Sequence, residues 1–166
     1  EHPAVDVPQG QRGELLIKGP QVFAGYWNKP RETEAVLLDG GWFRTGDIVT
    51  VDEDGFVSIV DRIKELIITG GFNVSPSEVE DALKRHESVD DVAVVGLLRS
   101  GGGEDVVAAV VLKKDADFDA EDIRQYVRRE LAAYKVPRRI VAIDELPKSM
   151  LGKVLRRQVR EELLTG

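Results

Sequence analysis

Two valine-rich runs, Val89 to Leu97 and Val106 to Leu112, constrain this chain more than any other feature. β-Branched side chains favour a pleated surface, and each run has the length of a strand. The loose loop Ser100-Gly101-Gly102-Gly103 between them allows the chain to reverse, so the two are expected to pair antiparallel. Arg139 to Ile143 reads as a third strand. Ser75-Pro76-Ser77-Glu78 marks a helix start: serine at the N-cap, proline at the first helical position, glutamate three residues after the cap. Val79, Leu83 and His86 then fall on one face of a helix running to about residue 87, with His86 packed at its end rather than acting as a ligand. Asp119 caps a second helix whose apolar face is Ile123, Tyr126, Val127 and Leu131. Val154 to Leu164 reads as a last helix, with Val154, Leu155, Val159 and Leu163 on or near one side and Arg156, Arg157 and Arg160 around the rest.

The first third is different in kind. Pro3, Pro8 and Gly10 make residues 1–12 irregular, and from Gly13 the pattern is β-rich. A strand is expected at Glu14 to Lys18, a short helix at Arg31 to Leu37, and strands at Ile48 to Val51 and Phe56 to Asp61, joined by the turn Asp52-Glu53-Asp54-Gly55. Lys64 to Thr69 suits a buried strand, followed by a reversal at Gly70-Gly71. A boundary falls near Asp61 to Lys64, giving regions 1–63 and 64–166. The expected fold class is α+β: a small C-terminal domain with a β-hairpin and a three-stranded sheet packed with helices, preceded by a β-rich piece of something larger.

Composition limits what such a chain does. The net charge is -7, which argues against nucleic acid as a general partner. Residues 1–134 hold 15 basic against 26 acidic side chains, whereas residues 135–166 hold 8 against 4, so the last fifth is locally cationic. With no cysteine, and two histidines that have no partner at metal-ligand spacing, no metal site is expected. Every apolar run is too short to span a bilayer and the acidic start lacks signal-peptide features, so a cytoplasmic protein is the expectation.

Leu146-Pro147-Lys148-Ser149-Met150-Leu151-Gly152-Lys153 places a lysine after a proline-entered, glycine-freed turn beside basic residues. Taken alone it reads as a solvated surface lysine as well as a movable positive charge. Asp47 after Gly46 reads locally as a turn-forming aspartate, Arg62 as a strand-end ion pair, and Lys64 as an exposed lysine.

Four segments in order resemble the later core motifs of the adenylate-forming enzymes, the superfamily of acyl-CoA synthetases, peptide-synthetase adenylation domains and beetle luciferases. They are Gly13-Glu14-Leu15-Leu16-Ile17-Lys18-Gly19-Pro20 with Gly25-Tyr26; Gly41-Trp42-Phe43-Arg44-Thr45-Gly46-Asp47; Asp61-Arg62-Ile63-Lys64-Glu65 running to Gly70-Gly71-Phe72-Asn73-Val74; and Leu146-Pro147-Lys148 to Gly152-Lys153. Within that superfamily the stretch 71–80, Tyr134-Lys135-Val136-Pro137 and the residues around Lys153 look most like bacterial long-chain fatty-acid CoA ligases.

The resemblance implies ATP with Mg2+, a fatty acid and coenzyme A as substrates. A carboxylate would attack the α-phosphate to give an acyl-adenylate and pyrophosphate, and the coenzyme A thiol would then displace AMP. It implies that Lys153 is the catalytic cation of the first half, that Asp47 and Arg62 bind nucleotide, that Lys64 is a hinge, and that Gly70, Gly71 and Phe72 line the pantetheine path. Arg138, Arg139, Arg156, Arg157 and Arg160 could meet coenzyme A phosphates or give weak contact with an anionic membrane surface, and none is assigned.

The same likeness implies a missing N-terminal domain as partner, carrying a Ser/Thr/Gly-rich phosphate loop and the acyl pocket. The chain is therefore expected to fold but not to turn over. Two alternatives stay open: another acyl or aryl acid CoA ligase, and a non-catalytic coenzyme A-binding or interaction module of the same fold.

Overall fold

The computed structural model describes residues 5–165. The reading of residues 1–4, Pro3 included, lies outside them. The chain divides into two compact units, residues 1–64 and 65–166.

The first unit is built on one long strand. β1 (Gly13–Ile17), a single-turn helix α1 (Pro30–Glu34), β2 (Leu37–Leu38), β3 (Trp42–Val51) and β4 (Val57–Arg62) follow in order. β3 pairs antiparallel with β1, β2 and β4. The expected helix to Leu37 is cut short because Leu37 and Leu38 are drawn into a hairpin with Phe43 and Trp42, closed by Arg44 N–H donating to Val36 O at 2.8 Å. The strand expected at Ile48 begins six residues sooner, at Trp42, since β1 supplies a partner for residues that look like a turn in isolation. The β3–β4 register shifts between Ile48 and Val49, leaving Val60 as the extra residue of a bulge on β4. The turn at Asp52 is as expected, its Oδ1 accepting from the N–H groups of Asp54 and Phe56.

The second unit contains β5 (Ile67–Thr69), β6 (Phe72–Val74), α2 (Pro76–Lys84), β7 (Val89–Leu98), β8 (Glu104–Leu112), α3 (Ala120–Val127), β9 (Arg139–Ala142) and α4 (Arg156–Thr165). β7 and β8 pair antiparallel as their composition predicts, and β9 lies parallel to β8, reached through α3. Alternation along the two long strands sends side chains to opposite faces. Val92, Val94, Val106, Ala108 and Val110 meet Val79, Ala82 and Leu83 of α2 and Ile123 and Val127 of α3, with Ile67 and Val74 of the β5–β6 hairpin. Ala93, Val95, Val107 and Ala109 meet Val159 and Leu163 of α4 on the other side. A sheet covered on both faces explains why these strands are apolar almost throughout.

Several boundaries move. β5 is one arm of a hairpin rather than a fully buried strand: Ile67 and Thr69 point inward and Ile68 outward. α2 ends at Lys84, before residue 87, because the N–H groups of Arg85 and His86 tighten to Ala82 O and Leu83 O. α4 starts at Arg156, not Val154, because Val154 bridges to Lys148 and Leu155 N–H donates to Pro147 O at 2.8 Å. Both predicted caps form. Ser75 Oγ accepts from Glu78 N–H, and Asp119 Oδ1 accepts from the N–H groups of Glu121 and Asp122. His86 is buried, with Nδ1 2.8 Å from Ser88 Oγ and Nε2 3.2 Å from Asp122 Oδ2, and it packs edge-on against Tyr126.

Candidate functional site

In the first unit the β3–β4 register sets Asp47 directly opposite Arg62. Arg62 Nε lies 2.8 Å from Asp47 Oδ1, yet out of hydrogen-bond line, so this oxygen is buried with no hydrogen bond among the described residues. The Asp47 side chain is 16% exposed. Its backbone N–H donates to Thr45 Oγ1, and Thr45 Oγ1 in turn donates to Leu15 O, which ties the backbone here to β1. Arg62 thus supplies the charge that balances this carboxylate, and a carboxylate with two acceptor oxygens suits a pair of hydroxyls. Lys64 is exposed, in the single 3-10 turn Ile63–Glu65 that follows β4.

In the second unit Gly70 and Gly71 form the two-residue turn of the β5–β6 hairpin, with φ of 57° and 83°. Two successive positive φ values define a turn that side chains with a Cβ resist. Phe72 stacks on Tyr134 at 4.4 Å and 18°, and Ile68 N–H donates to Glu104 Oε2 at 2.9 Å, so the hairpin is held on two sides.

Lys153 sits on a different projection. Pro147 O accepts from Leu155 N–H, Lys153 O from Ser149 N–H and Ser149 O from Gly152 N–H, each at 2.8 Å. Gly152 takes φ 77°. Met150, Leu151 and Lys153 at its tip are exposed, so the ammonium is free to reach an anion outside the unit's own interior. Among the described residues no group of three or more His, Asp or Glu side chains is placed to hold a metal.

The feet of this projection are pinned by charges that sequence reading did not find. Lys148 Nζ lies 2.7 Å from Asp91 Oδ2, and Lys84 Nζ lies 3.1 Å from Asp91 Oδ1. On the other foot Arg156 reaches Glu65 Oε2 through Nη1 and Glu80 Oε2 through Nη2, both at 2.7 Å. Arg156 is one of the arginines left unassigned from the sequence. Its spacing from Val159 and Leu163, three and seven residues, places it on the apolar side of α4, and that periodicity is the signal that could have found it. Arg138 pairs with Asp105, Arg139 donates to Leu163 O and Arg157 pairs with Glu161. Four of the five unassigned arginines are thus engaged within the protein.

Burial pushes the Asp91 carboxyl up, but hydrogen bonds from Lys148, Lys84 and Val92 N–H outweigh it and hold it below the usual carboxylate range. An aspartate in an unfolded chain titrates near about 3.9. A depressed folded value means that the stabilisation is present above that pH and is lost as pH falls through the folded value. Urea midpoints of the wild type and Asp91→Asn across an acid series are expected to differ at neutral pH and to converge below about pH 3.9. A constant gap would show that Asp91 contributes nothing through its charge.

The class of the protein follows from these features and from its relatives. Residues 78–153 match the family model of the AMP-binding enzyme C-terminal domain, and the second unit matches the small C-terminal domain of adenylate-forming enzymes. Long-chain-fatty-acid–CoA ligases resemble the chain over nearly its whole length. That of Escherichia coli O6:H1 is 48% identical over 157 residues, 95% of this chain and 28% of the relative. That of Bacillus subtilis is 51% identical over 152 residues, 92% of this chain and 27% of the relative. A feruloyl-CoA synthase of Amycolatopsis is 42% identical over 154 residues, 93% of this chain and 31% of the relative. Among solved structures, ATP-bound MatB from Rhodopseudomonas palustris matches with a TM-score of 0.83 and 39% identity, over 94% of this chain and 31% of that one. The chain thus spans less than a third of the length of each of these proteins.

Proposed function

We propose that this chain works within an ATP-dependent acid–thiol ligase that activates a long-chain fatty acid as its acyl-adenylate and passes the acyl group to coenzyme A. The observation that carries the reading is identity of 48% and 51% to two long-chain-fatty-acid–CoA ligases across 95% and 92% of the chain.

The reaction has two demands. In the first half a carboxylate oxygen bonds to the α-phosphorus of ATP while the bond to pyrophosphate breaks, so two anions must meet. Lys153, exposed on its turn, supplies a positive charge between them and acts as a fixed cation rather than a base. Mg2+ would travel with the ATP phosphates. Asp47 accepts from the ribose hydroxyls with its carboxylate, and Arg62, its ion-pair partner, faces the nucleotide. In the second half the thiol sulfur attacks the acyl carbon, the bond to AMP breaks and the thiol proton is released. That step needs Lys153 withdrawn and a narrow path opened, which a rotation about Lys64 and the side-chain-free turn at Gly70-Gly71, with Phe72 beside it, would provide. The 166 residues alone carry out neither half.

The full-length ligase carrying this chain is expected to form thioester from palmitate in preference to ferulate, measured as kcat/KM in competition. Preference for ferulate would instead support an aryl-acid ligase, the reading favoured by the 42% identity to the feruloyl-CoA synthase. AMP formation with neither acid would contradict both the long-chain and the aryl-acid reading. Pyrophosphate release by the 166-residue chain by itself would contradict its dependence on further residues.

A further inference from the structure

We infer that Arg156 is a positioning residue for the adenylation half-reaction, tying the turn that carries Lys153 to Glu65, the first residue of the second unit. The inference rests on the function proposed above for Lys153. Arg156 stands three residues after Lys153 and 91 residues from Glu65 along the chain. Its guanidinium is shared between two parts of the unit. Nη1 lies 2.7 Å from Glu65 Oε2, Nη2 lies 2.7 Å from Glu80 Oε2 on α2, and Nε lies 3.1 Å from Glu80 Oε1. Glu80 Oε1 also accepts from Val94 N–H on β7 at 2.8 Å, so the network reaches the central sheet. The side chains of Arg156, Glu65 and Glu80 are 23%, 26% and 14% exposed.

Ion pairs partly withdrawn from water lose part of their attraction to desolvation, and fixing register is the best-attested use of pairs so placed. Register is what the proposed chemistry requires here. A rotation about Lys64 moves everything from Glu65 onward, and Lys153 arrives at the reacting atoms only if the path from residue 65 to residue 153 is stiff. Covalently that path is the whole domain. Arg156 shortens it to one side chain. The planar fork contacts two carboxylates at once, which the single ammonium of a lysine cannot reproduce in the same geometry.

The test uses the full-length ligase carrying this chain, with the two halves assayed apart: pyrophosphate release from ATP and fatty acid, and thioester formation from presynthesised acyl-adenylate and coenzyme A. Arg156→Gln is expected to slow the first by about 10- to 100-fold, the scale of a small misplacement of a reacting group, and to leave the second within about twofold. Arg156→Lys should fall between, and Glu65→Gln should reproduce the same imbalance while keeping the arginine. If Arg156→Gln does not fold, the comparison is made on those two variants. Lys153→Ala is run in parallel. Loss of adenylation in Lys153→Ala with none in Arg156→Gln or Glu65→Gln would overturn the positioning role and leave the proposed function standing. Equal losses in both halves would mean that Arg156 only holds the fold, which also overturns it. Unchanged adenylation in Lys153→Ala would remove the role proposed for Lys153, and the positioning role with it.

Discussion

Leu83→Ala is expected to destabilise the second unit by about 2–5 kcal/mol, the range for truncating a fully buried leucine. Leu83 is 0% exposed and lies on α2 one turn from Val79, in the cluster that joins α2, α3 and one face of the β7–β8 sheet. The loss has two parts, the transfer of the deleted methyl groups and the cavity left behind, and close packing around Val92 and Val110 leaves little room for collapse. Domains of this size carry only about 5–15 kcal/mol in total, so the variant loses a large share of its stability. Far-UV circular dichroism reads the change, because α2, α3 and α4 all belong to this unit. The urea midpoint should fall at unchanged slope. Leu98→Ala, at a residue 83% exposed, should stay within about 0.5 kcal/mol of wild type. A Leu83→Ala midpoint equal to wild type would mean that α2 does not pack as described.

What was legible in the sequence was local. Ser75 and Asp119 announce their helices because a cap and its partners lie within three residues of each other. The β7–β8 pair was legible because two β-branched runs and one short loop leave few other arrangements. Trp42 to Asp47 was not read as strand, since Thr45-Gly46-Asp47 carries turn chemistry and its strand partners in β1 and β4 are distant in the chain. Tertiary pairing overrode the local preference. The candidate site divides the same way. Gly70-Gly71 needed only two adjacent glycines to declare a turn, and the Gly152-Lys153 turn declared itself by composition. The clamps beneath that turn, Lys148 on Asp91 and Arg156 on Glu65 and Glu80, join residues from opposite ends of the unit, and no short-range pattern encodes them.

Lys153→Ala is expected to cost the full-length ligase about 100-fold or more in adenylation, the scale of removing one preorganised group that meets charge in a transition state. Two unit charges brought to about 4 Å repel by roughly 1 kcal/mol in water and roughly 4 kcal/mol at an effective dielectric near 20, so a cleft that excludes water makes the missing cation more costly. The alanine should cost little stability, because Lys153 is exposed and its backbone, not its side chain, closes the turn. Lys153→Arg keeps the charge and should retain part of the rate, limited by the bulk and fork geometry of the guanidinium.

Measuring pyrophosphate release and thioester formation separately in Lys153→Ala is the most direct test. Pyrophosphate release slowed by about 100-fold, with thioester formation from presynthesised acyl-adenylate preserved, is the expected result. Pyrophosphate release at the wild-type rate would contradict a role for the Lys153 charge in joining the two anions.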